Sequence, residues 1–190
     1  MSSAPIDSVP DASALYEAAL HYLARYPATE AGLRRVLVRK IDRWSRAQPD
    51  PDTAGPEADG ARAAVDRVVE RLAAAGAVSD ASFAENRARG LIRGGKSSRS
   101  VQAYLAAKGV APDVAKAAAV TDDETELAAA LVLARKRRIG PYRADDSTEP
   151  GRTAKEFALL ARTGFSRTIA ERALTTPRED AERLIHDLRR

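Results

Sequence analysis

Cysteine is missing from this sequence altogether, which excludes a disulfide framework and any thiolate metal site. Aromatic residues are scarce at 5%, while the hydrophobic share is 44% with alanine its largest part. Helices of this composition pack closely but bury little area per residue, so several small cores suit the chain better than one large one. Long apolar runs are missing too: none approaches the ~20 residues of a membrane span. The segment from Met1 to Ser13 lacks the basic start and apolar stretch of an export signal. A soluble, cytoplasmic protein with no membrane partner is the expectation. Neither charge dominates. Thirty-one Lys and Arg against 27 Asp and Glu leave a formal +4, a mild bias toward anionic partners that identifies none of them.

What the sequence does contain is helical spacing. Residues 1–12, rich in Ser, Ala, Asp and Pro, read as a mobile tail. Leu15, Ala18, Ala19, Tyr22, Leu23 and Tyr26 form a first apolar stripe, stopped by Pro27. Leu33, Val36, Leu37, Ile41 and Trp44 form a second. Residues 48–60, QPDPDTAGPEADG, are dense in Pro, Gly and Asp and read as a loop that cannot continue a helix. Val65, Val68, Val69 and Leu72 resume the pattern as far as Gly76. A fourth helix, capped by Ser79 or Asp80, turns Phe83, Ala84, Ala88, Leu91 and Ile92 inward and ends at Gly94-Gly95. A fifth runs from Ser97 or Ser98 to Gly109, and Pro112 opens a short sixth. Thr121/Glu124, Thr153/Glu156 and Thr176/Glu179 have the form of capping boxes, the last opening a final helix through Leu188. No stretch alternates as a strand, so the fold class is all-α.

The chain also repeats itself. Leu105, Lys108-Gly109-Val110 and Val114 match Leu160, Thr163-Gly164-Phe165 and Ile169 at a constant offset of 55. Each block reads as a helix closed by a left-handed glycine, a large apolar residue, a polar cap and a short helix. A degraded copy lies upstream, where Leu37, Lys40 and Ile41 stand 68 residues before Leu105, Lys108 and Gly109. Three units suit a stacked array.

These repeats accompany a segment, Gly76-Ala-Val-Ser-Asp80-Ala-Ser-Phe83-Ala84, that is followed by Gly94-Gly95, Arg99-Ser-Val101, Leu105 and Lys108-Gly109-Val110. In that order and spacing the chain resembles the RecX family of recombination regulators from about residue 14 to 175. The resemblance implies three tandem three-helix repeats in an elongated, curved array, here with an extra C-terminal helix. The expected divisions are a tail at 1–12, repeats at 13–78, 79–120 and 121–175, and the last helix at 176–190. It also implies a non-enzymatic regulator without a cofactor. Such a protein binds the RecA recombinase filament on single-stranded DNA and suppresses its ATPase and strand-exchange activities in DNA recombination and repair. A monomer is expected. The Pro/Asp insertion at 48–60 and the replacement of Lys-Gly by Lys40-Ile41 depart from the family pattern in the first repeat.

The candidate partner surface is basic: Arg34, Arg35 and Arg39; Arg93, Lys96 and Arg99; Lys108; and Arg135, Lys136, Arg137 and Arg138. Singly, each cluster reads as solvated helix surface, with Glu30/Arg34 at i,i+4 spacing and the last cluster at a helix C-terminus. Jointly they read as an anionic-partner face, either for the filament or, in the alternative, for nucleic acid bound without a recombinase. Gly90 to Ser97 satisfies the P-loop pattern letter by letter. A helical segment precedes it where a phosphate-binding loop needs a strand, so nucleotide binding is not expected. His21 and His186 stand alone without partner ligands, Trp44 completes an apolar stripe, and no catalytic or metal set is visible.

Overall fold

A computed structural model describes residues 8–49, 51–144 and 151–190, and among these the apolar stripes form ten α-helices and no strand. Most of the expected N-terminal tail lies outside the described residues. Contacts divide the chain into two units, one running to Phe83 with Lys108–Val110, the other comprising Ala84–Ala107 and Ala111–Arg190.

The first unit holds α1 (Ala12–Leu23), α2 (Glu30–Ala47) and α3 (Pro51–Ala74). Its core takes Leu15 and Ala19 from α1 and Leu33, Leu37, Ile41 and Trp44 from α2, all on helical spacing. The expected loop at 48–60 is overturned: α3 begins at Pro51 and runs straight through Gly55, Pro56 and Gly60. Proline is harmless at a helix start, where amides have no internal acceptor, and Pro56 costs one bond in the second turn. The compensation is burial. Ala54, Ala58 and Ala61 continue the stripe of Val65, Val68 and Leu72 against α2, and all six are buried.

The second unit contains most of α4 (Asp80–Arg93), then α5 (Ser98–Ala107), α6 (Pro112–Ala118), α7 (Asp123–Arg137), α8 (Arg152–Arg162), α9 (Arg167–Thr175) and α10 (Arg178–Arg189). At its centre lies α7, in which Leu127–Val132 and Ala134 are all buried. A helix apolar on every side needs neighbours on every side, and α9 and α10 make the largest contacts with it. Its ends carry the charge: Asp123, Glu124 and Glu126 open it, and Arg135, Lys136 and Arg137 close it, each sign facing the favourable end of the helix dipole.

None of the three expected capping boxes forms. Asp122, not Thr121, caps α7 by accepting from the Thr125 amide at 2.6 Å. Gly151 precedes α8, which places Thr153 inside the helix, and Thr176 donates back to the Arg172 carbonyl at 2.6 Å. Glu156 serves elsewhere. It accepts from the Gly140 amide at 3.1 Å and from Arg143 at 2.5 Å, with Arg152 at 3.4 Å, and so pins the 3₁₀ turn Gly140–Tyr142. Burial alone would raise this carboxyl's pKa. The hydrogen bonds from Arg143 and Gly140 and the charges of Arg143 and Arg152 outweigh burial and hold it below its ordinary value.

The repeat survives as a physical device. Thr29 caps α2 by accepting from the Gly32 amide at 2.9 Å, and its hydroxyl donates to the Lys108 carbonyl at 2.8 Å. Ser97 caps α5 by accepting from the Ser100 amide at 3.2 Å, and it donates to the Thr163 carbonyl at 2.7 Å. The donors stand 68 residues apart and the acceptors 55, the two offsets of the sequence repeat. Each acceptor precedes a left-handed glycine, Gly109 (φ 91°) or Gly164 (φ 97°). A β-carbon on Gly109 would stand 2.4 Å from that of Ala31, and one on Gly164 would stand 2.6 Å from Ser97 Oγ. Ile41, the counterpart of Gly109 in the degraded copy, lies instead in mid-α2 with its side chain fully buried.

Candidate functional site

The basic residues read from the sequence fall into distinct settings. In the first unit, Arg34 is neutralised by Asp66 at 2.8 Å and Glu30 at 3.5 Å, so it ties α2 to α3 and offers little to a partner. Arg35 points at the turn after α5, its guanidinium 3.3 Å from the Lys108 carbonyl, so Arg35 and Lys108 come together. Arg39 lies exposed farther along α2.

In the second unit, the Gly94-Gly95 turn is the focus. Arg93, Lys96 and Arg99 are exposed around it. Lys136 reaches it from α7, with Nζ 2.6 Å from the Gly94 carbonyl at the end of α4. Arg135 leaves the cluster to pair with Glu182 on α10 at 3.0 Å, while Arg137 and Arg138 remain exposed. Arg138 closes α7 in the left-handed conformation, with φ 55°.

This turn is built unlike a phosphate loop. Gly90 lies inside α4. The amides of Gly94, Gly95 and Lys96 are already bonded to the carbonyls of Gly90, Ile92 and Leu91. Gly95 is there for close approach: a β-carbon on it would stand 3.0 Å from the Leu133 amide nitrogen of α7. Ser97, which a P-loop would turn toward magnesium, is fully buried and donates to Thr163. Trp44 is 5% exposed in the first core, which removes it as a stacking platform, and His21 and His186 lie at the surface.

Sequence reasoning missed one surface feature. In the second unit a groove of about 440 Å³ lies beside the C-terminal part of α4, with Arg89, Ile92, Arg93, Val120, Thr125 and Leu188 among its walls. Val120, at 72% exposure, stands at this groove with no cover. Periodicity could not signal it, because its walls come from segments about 30 and 60 residues apart that only the fold brings together.

Comparison with known proteins places these features in company. A family model described as the second three-helix domain of RecX matches residues 79–118. The chain is 38% identical over 162 residues to the "Regulatory protein RecX" of Myxococcus xanthus, covering 84% of this chain and 83% of that one. It is 35% identical over 169 residues to the protein of the same name from Agrobacterium fabrum, covering 89% and 86%. The crystal structure of RecX from Lactobacillus salivarius superposes with a TM-score of 0.64 over 90% of this chain and 96% of that one, at 20% identity, a likeness of fold.

Proposed function

The chain belongs to the RecX family of regulatory proteins, and from that premise we propose that it binds the RecA recombinase assembled on single-stranded DNA and lowers its ATPase and strand-exchange activities. The observation that carries this reading is the 38% identity maintained over 84% of the chain to a protein named as a regulator. It acts by binding and not by catalysis, as a monomer in the cytoplasm, on three tandem three-helix repeats with a closing helix. A regulator of this kind shifts a filament between conformations only through its differential affinity for them. The basic residues that remain exposed, Arg35, Arg39, Arg93, Lys96, Arg99, Lys108, Arg137 and Arg138, are the proposed contacts. Arg34 and Arg135 support the fold through their ion pairs.

Co-sedimentation with RecA on single-stranded DNA, read alongside ATP hydrolysis, tests this. The protein is expected to pellet with the filament and slow hydrolysis at concentrations where it leaves naked DNA unbound. Tight binding to DNA alone, with RecA unaffected, makes it a stand-alone nucleic-acid binder instead.

A further inference from the structure

We propose that the groove beside α4 is a docking site for an acidic peptide segment carrying one large apolar side chain. Its chemistry has two parts. Ile92, Val120 and Leu188 supply an apolar floor, and the exposed Val120 loses hydration when a side chain covers it. Arg89, Arg93 and Arg190 supply positive charge. Arg93 and Arg190 make no ion pair among the described residues, and the guanidinium of Arg89 meets only the neutral Asn86 carbonyl oxygen, at 2.6 Å. Three guanidinium groups outside any ion pair among the described residues, against the carboxylate of Asp122 in the groove wall, stand beside an apolar floor and match carboxylates flanking an apolar anchor.

The neighbouring surface decides between peptide and nucleic acid. The groove shares Asp122, Thr125 and Leu188 with an adjoining depression that adds Glu124 and Asp187. Asp122 stays ionised there, its pKa lowered by the hydrogen bonds it accepts from Thr125. A phosphodiester chain is negative at every step and meets that acidic patch as soon as it leaves the arginines. A peptide places its carboxylates singly, so it can end its acidic stretch at the arginine side. The proposal rests on the reading that the partner is a protein, not on which protein it is.

The test is fluorescence anisotropy of the full chain with a labelled synthetic peptide of Asp and Glu around one Leu. The same peptide with Ser for Leu, and labelled oligothymidylate, serve as comparisons. The Leu peptide is expected to bind, and the Ser peptide to bind about tenfold more weakly, as loss of a well-buried anchor implies. Val120→Asp and the pair Arg89→Glu with Arg93→Glu should each reduce Leu-peptide binding at least as much, with helicity unchanged because these side chains are exposed. Equal binding of the two peptides, or indifference to Val120→Asp, overturns the site. So does oligothymidylate binding that Val120→Asp abolishes, which makes the groove a nucleic-acid site. Wild-type inhibition of RecA ATPase, assayed in parallel, separates the two readings. Inhibition without peptide binding removes only the groove, and peptide binding without inhibition removes only the recombinase.

Discussion

Residues of small size carry unusual weight in this chain. Gly109→Ala combines a left-handed backbone with a β-carbon driven into Ala31. It should cost about 2–4 kcal/mol from conformational strain plus overpacking, measured by urea unfolding. Gly76 is also left-handed, at φ 69°, but a β-carbon there meets nothing, so Gly76→Ala should lose only the conformational part, about 1–2 kcal/mol. Equal losses at the two positions would show that the contact with Ala31 does not matter. Two glutamates make a second contrast. The pKa of Glu156 is depressed below 4.5, so its stabilisation is present above that value and fades as pH falls through the depressed one. Glu126 behaves oppositely. Burial raises its pKa above 4.5, and the bonds from the Ser98 amide and Thr121 hydroxyl only partly offset this, so ionisation weakens the fold as pH rises through the raised value. Glu156→Gln should therefore cost about 1.5–3 kcal/mol at neutral pH, narrowing in acid. Glu126→Gln should cost clearly less at neutral pH. Unfolding curves for both variants at neutral and acid pH decide the matter, and a Glu156→Gln deficit that widens in acid contradicts the assignment.

At the scale of elements, α3 is where composition and structure part. Pro, Gly and Asp signal a loop because each weakens a helix locally, and that local signal is real. It loses because Ala54, Ala58 and Ala61 fall on the same face as Val65 and Leu72, and contact with α2 rewards that face. Alanine is too weakly apolar to stand out beside two prolines. Gly60→Ala should therefore stabilise the protein by about 0.5–1 kcal/mol, since Gly60 is helical and a β-carbon there meets nothing. Ala58→Leu should destabilise it by about 1–3 kcal/mol through overpacking, as Ala58 is 1% exposed. Thermal melts of both read the outcome. If 48–60 were a solvated loop, neither change would register. Helices such as α1, α2, α4 and α5 were legible because large apolar residues at three- and four-residue spacing bury strongly enough to fix a face, whereas α7, apolar on every side, shows no such stripe. The capping boxes misled because Thr-x-x-Glu is a local pattern with local rivals: Asp122 takes the cap of α7 while Thr121 bonds Glu126, and Glu156 is claimed by Gly140 and Arg143, which the fold brings to it. Positions of charge were legible, and so was the local pair of Glu30 with Arg34 at 3.5 Å, but partners distant in sequence were not. Nothing in the spacing of Arg34 shows that Asp66 claims it.

For the whole molecule, the test of function is charge reversal on the Gly94-Gly95 turn. Arg93, Lys96 and Arg99 are exposed and lie off the buried faces of α4 and α5, so their replacement by Glu should leave circular dichroism unchanged. Inhibition of RecA ATPase should weaken, and more so at low salt, because exposed charges act over a Debye length of about 10 Å at 0.1 M and less as salt rises. Full inhibition by this variant would move the contact surface elsewhere on the chain. Lys96→Ala is a separate check: with the turn amides bonded internally, no nucleotide-dependent activity should be lost.

The hydroxyls of Thr29 and Ser97 each hold two things together, a helix start and a distant turn. One consequence concerns time. The Gly32 amide is bonded to Thr29 Oγ1 and the Ser100 amide to Ser97 Oγ, and the Ser100 hydroxyl also donates to the Thr163 carbonyl at 2.6 Å. Without the Lys108 carbonyl the Thr29 side chain loses one of the two bonds that fix its rotamer, so faster exchange of the Gly32 amide is the expected sign that this turn has opened. Deuterium uptake at these two amides is therefore expected to follow the opening of two turns, each 63 or more residues away along the chain.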